Sequence, residues 1–280
     1  MFSRPVVPAA AHTLLLYPPE FMLRSAPPRR RTSGHTPVPA TRVSQSRFFS
    51  AARQWDIDIV RAGLDAHPEY ATATDAQGRT ALHLACMVDV RRARRPVAAS
   101  VTVARALLDA GADLNSVHAL RDGAESFPAR ALWYAVARGG NRPLTRFLLS
   151  KGANPNYCYW AVVWSDDVAT ARLLARHGAN VNLPFHGETP LVYATRLRRT
   201  RMMRWLLEHG ADVGVGDADG RSPLYHAVLR RHPAAEIGLL LKAGASLEQA
   251  ARDGSTPRSI AGRQFGSTLA QAQAEARRGA

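Results

Sequence analysis

The chain has 280 residues, of which 46% are hydrophobic and 21% are charged, a composition typical of a folded globular protein. Aromatic residues make up only 7%, which is few for one large core but sufficient for a stack of small units. The formal net charge of +15 permits attraction to nucleic acid, anionic lipid or an acidic protein. Only Lys151 and Lys242 are lysines, and a GC-rich coding genome explains this arginine bias more simply than selection for one ligand.

Two further classes of protein are disfavoured by the composition. No apolar run is long enough to span a bilayer, so we expect no transmembrane segment. The two cysteines, Cys86 and Cys158, form no CxxC pair and have no partner at metal-binding spacing. We expect both to lie in helices as small hydrophobic residues.

Residues 1–44 differ from the rest of the chain. Eight of the chain's 18 prolines fall here, and Glu20 is the only acidic residue beside six arginines. Because prolines at this density oppose both helix and strand, we expect a disordered tail. The composition also loosely resembles an organelle transit peptide or a secretion leader. Two interpretations stay open: an untargeted tail or wrongly assigned start on a cytoplasmic protein, and an address on a secreted or organelle-targeted one.

From residue 45 onward, one phrase recurs along the chain. It consists of two leucines, a short polar gap and Gly-Ala followed by Asp, Asn or Ser. Its five copies have their glycines at Gly111, Gly152, Gly178, Gly210 and Gly244. The spacings are 41, 26, 32 and 34 residues. Two of these lie near a repeat of ~33 residues, and the other two indicate one insertion and one deletion.

A second phrase precedes each first helix, as Gly-x-Thr/Ser-Pro/Ala-Leu before an apolar run. Three copies place a hydroxyl where it can cap a helix, at Thr80, Thr189 and Ser222. A fourth, degenerate copy begins at Gly254. The paired leucines then mark a second helix, and the following glycine supplies a left-handed C-terminal cap. Each unit has an apolar face that only a neighbouring unit can bury.

These two phrases in register resemble the ankyrin repeat, whose T-P-L-H-x-A motif is nearly intact at residues 80–85. The resemblance implies an all-α repeat solenoid, in which helix-turn-helix units with β-turn or hairpin loops stack in one curved array. The array would occupy residues 45–280, with about six to seven units including degenerate caps at both ends. Residues 116–130 form a long connection in the third unit, and the fourth unit is shortened before Cys158.

The resemblance also implies where a partner would bind. Ankyrin proteins usually hold a partner at the hairpin tips and on the exposed side of the first helices. Carried over by position, the candidate binding residues are Leu84, Val88, Tyr134, Arg138, Trp160, Trp164, Tyr193, Arg196, His226 and Arg230. Aromatic and arginine side chains are favoured at the hot spots of protein interfaces. For Trp160 and Trp164 a second interpretation stays open, namely packing into the gap left by the shortened unit.

No catalytic or metal-binding constellation is recognisable in the sequence. P-loop, HExxH and GxSxG motifs are missing, and the ten histidines fall largely at repeat-equivalent positions. We expect His83 to hydrogen-bond loop backbone, and His226 alone to lie on the open face. The sequence therefore predicts a protein without catalytic activity, cofactor or metal.

The favoured function is a monomeric, cytoplasmic scaffold that binds another protein. One alternative is a secreted or organelle-targeted regulator acting on a host or organelle protein. A less favoured alternative is nucleic-acid binding through the arginines of residues 91–95 and 196–204. Aromatic residues for base stacking are mostly missing from these two clusters, which argues against nucleic acid.

Overall fold

The computed structural model describes residues 43–122 and 125–278. The predicted tail, residues 1–44, lies outside the described residues except for its last two positions. Val43 is only 2% exposed, and the Ser44 hydroxyl accepts a hydrogen bond from the Arg47 N–H at 3.4 Å. Ser44 is therefore the N-cap of the first helix, and Val43 is buried directly before it.

Helices follow one another in pairs along the described chain, with a first and a second helix in each unit. The pairs are α1 (Gln45–Gln54) with α2 (Ile57–Ala66), α3 (Ala81–Cys86) with α4 (Val97–Asp109), α5 (Ala131–Tyr134) with α6 (Arg142–Ser150), α7 (Cys158–Ser165) with α8 (Val168–Arg176), α9 (Pro190–Arg196) with α10 (Thr200–Glu208), and α11 (Pro223–Leu229) with α12 (Ala234–Lys242). A last helix, α13 (Pro257–Arg278), is interrupted at Gly262, whose ψ of 179° is not helical.

Three shorter elements complete the described chain. A 3₁₀ turn, Pro68–Ala71, follows α2, and a π-helical turn, Ala135–Gly139, continues α5. Strands β1 (His118–Asp122) and β2 (Glu125–Ala129) form an antiparallel hairpin between α4 and α5. In its register Leu120 lies opposite Phe127.

The predicted helix caps are confirmed at both ends of the units. At the start of α3, α9 and α11, a hydroxyl accepts the N–H of the residue three positions on at 3.4, 3.3 and 3.2 Å; the capping residues are Thr80, Thr189 and Ser222. The five glycines that follow second helices have φ between 79° and 93°, a region that glycine adopts without strain. The two recurring phrases thus set where each helix begins and ends.

Stacking buries the apolar faces of these short helices. Each first helix packs on the first helix of the next unit, from α1 to α13, and the second helices pack in the same way from α2 to α12. Leu82, Leu191 and Leu224 of the first helices are fully buried, as are Leu107 and Leu174 of the second helices. Each unit contacts mainly its neighbours, so the expected all-α repeat solenoid is confirmed.

An asparagine four residues after the capping glycine joins one unit to the next. Its side-chain oxygen accepts a backbone N–H from the Gly-Ala-Asx turn of the following unit, at 2.8, 3.3 and 2.9 Å, in the pairs Asn115–Asn154, Asn156–Asn180 and Asn182–Asp212. We call these contacts the asparagine staples. In the next joint the equivalent residue is Gly214, and Gln249 donates its side-chain amide to the Gly214 carbonyl at 2.6 Å instead.

Within residues 43–122 and 125–278, no helix combines the length and the apolar character needed to cross a membrane.

Candidate binding surface

Two aromatic rings stack where the fourth and fifth units meet. Trp160 of α7 lies nearly parallel to Tyr193 of α9, with ring centroids 3.8 Å apart and an interplanar angle of 21°. Phe185, in the loop before α9, packs edge-on against Trp160 at 5.0 Å. Tyr193 is 3% exposed, whereas Trp160 is half-buried. Trp160 therefore packs against its neighbours and also presents part of its ring to solvent.

Arginine side chains lie beside this ring pair. The Arg196 guanidinium lies over the Tyr193 ring at 5.2 Å and forms an ion pair with Glu188 at 3.0 Å. Arg230 comes directly after α11 as its C-cap; partial desolvation lowers its pKa, and the nearby Arg196 charge lowers it further. One unit earlier, Arg138 lies 5.7 Å from the centroid of the Tyr134 ring. Cations and aromatic faces thus alternate along this side of the array.

The prediction that Leu84, Tyr134, Tyr193 and His226 lie on an open face is wrong. Their exposed fractions are 4%, 0%, 3% and 5%. The physical reason is that this motif position turns toward the neighbouring unit, where the side chain is covered when the units stack.

Polar atoms at these buried positions have partners inside the stack. The Tyr134 hydroxyl lies 2.7 Å from His118 Nδ1, and burial raises the pKa of Tyr134 to about 12. His226 Nε2 lies 2.8 Å from Asp217 Oδ2. Burial opposes ionisation of Asp217, but the hydrogen bonds from His226 and from the Arg221 backbone N–H outweigh it and lower the Asp217 pKa. His226 is therefore a buried structural histidine, not an exposed ligand.

The positions one turn further on do reach the surface. Val88, Arg138 and Trp164 are partly exposed, and Arg230 is exposed. Together with Trp160 and Arg196 they form what we call the first-helix surface: Val88, Arg138, Trp160, Trp164, Arg196 and Arg230.

The prediction for His83 is confirmed. Its Nδ1 accepts the Thr80 N–H at 3.1 Å, which leaves Nε2–H to donate to the Ser116 carbonyl at 3.0 Å. The ring is fully buried, and this burial lowers the pKa of His83 to about 4. His83 thus joins α3 to the loop before β1, and its role is structural.

A second aromatic cluster was missed in the sequence. Phe127 of β2 is 3% exposed, and its ring centroid lies 5.0 Å from Trp133, 5.6 Å from Tyr157 and 4.7 Å from Phe185. The sequence signal was the Asp-Gly pair at positions 122–123, which favours a two-residue hairpin turn inside the long connection.

Both cysteines lie buried in first helices of the described chain. Cys86 and Cys158 are free thiols with no exposed surface, and burial raises the pKa of both, that of Cys158 to about 12. No group of three His, Cys, Asp or Glu residues among the described residues is arranged to hold a metal ion.

Comparison with known families agrees with this architecture. The model described as "Ankyrin repeat" matches residues 77–119, and that described as "Ankyrin repeats (3 copies)" matches residues 132–217 and 158–251. The chain belongs to the ankyrin-repeat family. Ankyrin repeats are generally protein–protein interaction modules, and the fold generally serves as a non-catalytic scaffold.

Curated relatives share parts of the ankyrin array. An ankyrin repeat protein of Rickettsia bellii is 31% identical over 129 residues, which are 45% of this chain and 52% of the relative. Transient receptor potential cation channel subfamily V member 5 of Oryctolagus cuniculus is 26% identical over 189 residues, 68% of this chain and 22% of that protein. Human ankyrin repeat and SOCS box protein 6 is 34% identical over 125 residues, 39% and 30% of the two chains. The chain thus spans about half or less of these relatives' lengths.

Solved structures with the same fold cover more of the array. The ankyrin repeat domain of human ASB11 superposes with a TM-score of 0.60 at 22% identity, covering 81% of this chain and 96% of that one. The Bcl-3 ankyrin repeat domain gives 0.60 at 22% identity, covering 84% and 97%. An ankyrin repeat domain of Acinetobacter baumannii AYE gives 0.58 at 28% identity, covering 72% and 100%.

Proposed function

We propose that this ankyrin array is a non-catalytic scaffold that binds another protein through its first-helix surface and the adjoining loop tips. The observation that carries the proposal is Trp160, which is fixed against Tyr193 at 3.8 Å and still keeps part of its ring exposed. Tryptophan that a partner can cover is among the residues most enriched at the hot spots of protein interfaces.

The surroundings of Trp160 have the chemistry of an interface centre. Arg196 lies over the Tyr193 ring and Arg230 lies near Arg196, and tryptophan and arginine are enriched among residues that dominate binding energy. Because stacking already holds the Trp160 ring, little conformational entropy is lost when a partner covers it. The paired Glu188 holds Arg196 in place, while Arg230 adds a cation. A partner with an apolar side chain next to a carboxylate fits this arrangement.

The test compares partner capture by the full chain with capture by two variants. Nuclease is added throughout, so that only protein is recovered. Trp160→Ala combined with Arg230→Ala should reduce recovery of the partner at least about tenfold, the size expected for loss of a hot spot. Arg146→Ala, at an exposed position on the second helix α6, should leave recovery unchanged.

Stability measurements separate binding from packing. Trp160→Phe keeps a ring against Tyr193 and should keep most of the melting temperature while weakening binding. A large fall in melting temperature together with normal affinity after refolding would assign Trp160 to packing alone and overturn the proposal. In a parallel capture without nuclease, recovery of nucleic acid alone that is lost at moderate salt would favour the arginine-rich surface instead.

We further propose that the protein is monomeric and cytoplasmic. The net charge of +15 opposes self-association, and both cysteines are free thiols, as expected in a reducing compartment. N-terminal sequencing of the mature protein from its native source tests the location. Removal of roughly the predicted tail would support the alternative of a secreted or organelle-targeted regulator.

A further inference from the structure

The second helices α8 and α10 enclose a groove of about 420 Å³ that the proposed function does not use. Val168 and Arg172 line it from α8, and Arg201, Arg204, Trp205 and Glu208 line it from α10. We call it the α8–α10 groove. Its volume lies within the range of pockets that hold ligands of a few side chains' size.

Helical periodicity places these residues on one face of each helix. Val168 and Arg172 are four residues apart, and the four residues of α10 follow the spacing of one helical face. Val168 is 8% exposed and Trp205 is 2% exposed, so they form an apolar floor. The three arginines are exposed and stand at the rim.

The arginines of this groove differ from the arginines around it in their ion-pair partners. Arg142 pairs with Asp167 at 2.7 Å, Arg196 with Glu188 at 3.0 Å, and Arg198 approaches Glu236 at 3.9 Å. In contrast, no carboxylate of the described chain lies within ion-pair distance of the three arginines at the rim of the α8–α10 groove. Glu208 is the one acidic residue of its lining, so three cations face one anion. Like charges held together at this density repel one another, and a bound anion relieves the repulsion.

We propose that the α8–α10 groove is a second binding site, which accepts a short acidic peptide segment of a protein partner. Two or more carboxylates of the segment contact Arg172, Arg201 and Arg204, because the planar guanidinium group matches carboxylate geometry. An aliphatic side chain between the carboxylates packs on the alkyl stems of these arginines, above the buried floor of Val168 and Trp205. The site lies on second helices, so it is independent of the first-helix surface.

Charge also excludes the other candidate occupants. Residues 1–44 of this chain carry six arginines and only Glu20, so this segment is repelled rather than attracted. A second copy of the chain carries the same +15 charge. Nucleic acid is disfavoured because the aromatic residue of the groove, Trp205, is 2% exposed and offers no open ring for base stacking.

The experiment measures fluorescence anisotropy of a short fluorescein-labelled peptide of alternating Glu and Leu, titrated with the full chain. The same peptide with Gln in place of every Glu is the ligand control. The test variant replaces three groove residues, Arg172→Glu, Arg201→Glu and Arg204→Glu. The matched control makes the same change of net charge elsewhere on exposed helix positions, Arg53→Glu, Arg61→Glu and Arg146→Glu.

The wild-type chain should bind the Glu-containing peptide and not the Gln-containing one. The groove variant should bind at least about tenfold more weakly, while the control variant stays within about twofold, because close charge pairs act locally. Arg→Gln changes at the three groove positions remove charge without reversing it, and they provide the measurement should the Glu variant lose its fold. Equal weakening in the test and control variants, or equal binding of both peptides, would overturn the site. If a single-stranded oligonucleotide binds more tightly than the peptide, and the groove variant loses that binding, then the ligand of the groove is nucleic acid and the peptide proposal is wrong.

Discussion

The stretch from α5 to α8 and the stretch from α9 to α12 stack the same kind of helix pair with different loops. The loop that precedes α11 and the loop that precedes α13 are joined by a backbone hydrogen bond, in which the Arg252 N–H donates to the Asp219 carbonyl at 2.8 Å. The fourth unit has almost no loop, and α7 begins directly after Tyr157, which has a φ of 69°. There the hairpin of the third unit reaches past the fourth, and Phe127 contacts Phe185 of the fifth at 4.7 Å.

This difference shows that an insertion and a deletion in adjacent units compensate each other. The capping glycines Gly111 and Gly178 are 67 residues apart, close to two periods of ~33 residues. The inserted hairpin supplies aromatic side chains that cover the place of the missing loop. The second helices stack through both stretches, and the asparagine staples join the units as far as Asp212, where the contact of Gln249 with Gly214 takes over.

The largest expected effect comes from removing the Phe127 ring, which bridges the third and fifth units in the stretch from α5 to α8. Phe127→Ala should reduce the free energy of unfolding by about 3–4 kcal/mol, since the ring is 3% exposed and packed against three aromatic side chains. Urea unfolding monitored by circular dichroism measures it. Val215→Ala, at 41% exposure in the regular stretch, should change stability by less than about 0.5 kcal/mol. Similar small effects for both variants would show that the hairpin does not support the fourth unit.

A smaller effect should follow from acidification, and it should depend on His83. The pKa of this ring is about 4 in the folded chain and 6.5 when unperturbed, so the unfolded chain takes up a proton first as the pH falls. The stability contributed by neutral His83 is present above pH 6.5 and is lost as the pH falls toward 4. From pH 7 to pH 5 the loss should be about 2 kcal/mol, measured by urea unfolding at both pH values.

Two variants localise this pH dependence. At the motif position of His83, the stretch from α9 to α12 has Tyr225, whose hydroxyl lies 2.9 Å from Ser255 Oγ. His83→Gln should remove about 2 kcal/mol of the loss between pH 7 and pH 5, while His118 and His232, whose pKa values burial also lowers, keep part of the pH dependence. His177→Gln, at an exposed position after α8, should leave it unchanged. An undiminished pH effect in His83→Gln would contradict the assignment.

The smallest expected loss of stability comes from replacing a capping glycine, and it should be equal in the α5–α8 stretch and in the α9–α12 stretch. Gly152 and Gly210 end α6 and α10 with φ of 88° and 82°, and no atom lies within 4 Å of where a Cβ would stand. Valine at either position should cost about 1–2 kcal/mol through backbone strain alone. Thermal or urea unfolding of Gly152→Val and Gly210→Val measures the pair. Clearly unequal losses would show that the irregularity extends to the second helices.

Much of the fold could be predicted from the sequence because its signals are local. A hydroxyl that caps a helix start and a glycine that caps a helix end each depend on only a few neighbouring residues. Thr80 and Gly152 were identified as such caps from the sequence. The side of each first helix that faces solvent could not be predicted from such local signals. In α11 the consecutive residues 223–228 are all buried, so no helical periodicity marks an outward face, and His226 was misplaced.

Long-range contacts were also beyond the sequence pattern. Phe127 meets a ring of a unit that is not its neighbour in the chain, and nothing near position 127 indicates Phe185 as its partner. The α8–α10 groove has the same character. Its arginines come from two helices, and the nearby carboxylates of Asp167, Glu188 and Glu236 pair with other arginines in the described part of the chain.

The asparagine staples have a consequence for how such an array changes over generations. The acceptor, Asn156 for example, lies two residues beyond Asn154, the donor to the preceding unit, so one short turn carries both halves of the joint. Any unit ending in this turn matches any other, whatever the length between its turns. Duplication, loss or shortening of a unit therefore still leaves a hydrogen-bond donor opposite an acceptor where two units meet. The loops can then change in length and sequence, and so bind new partners, while the joint between units is kept.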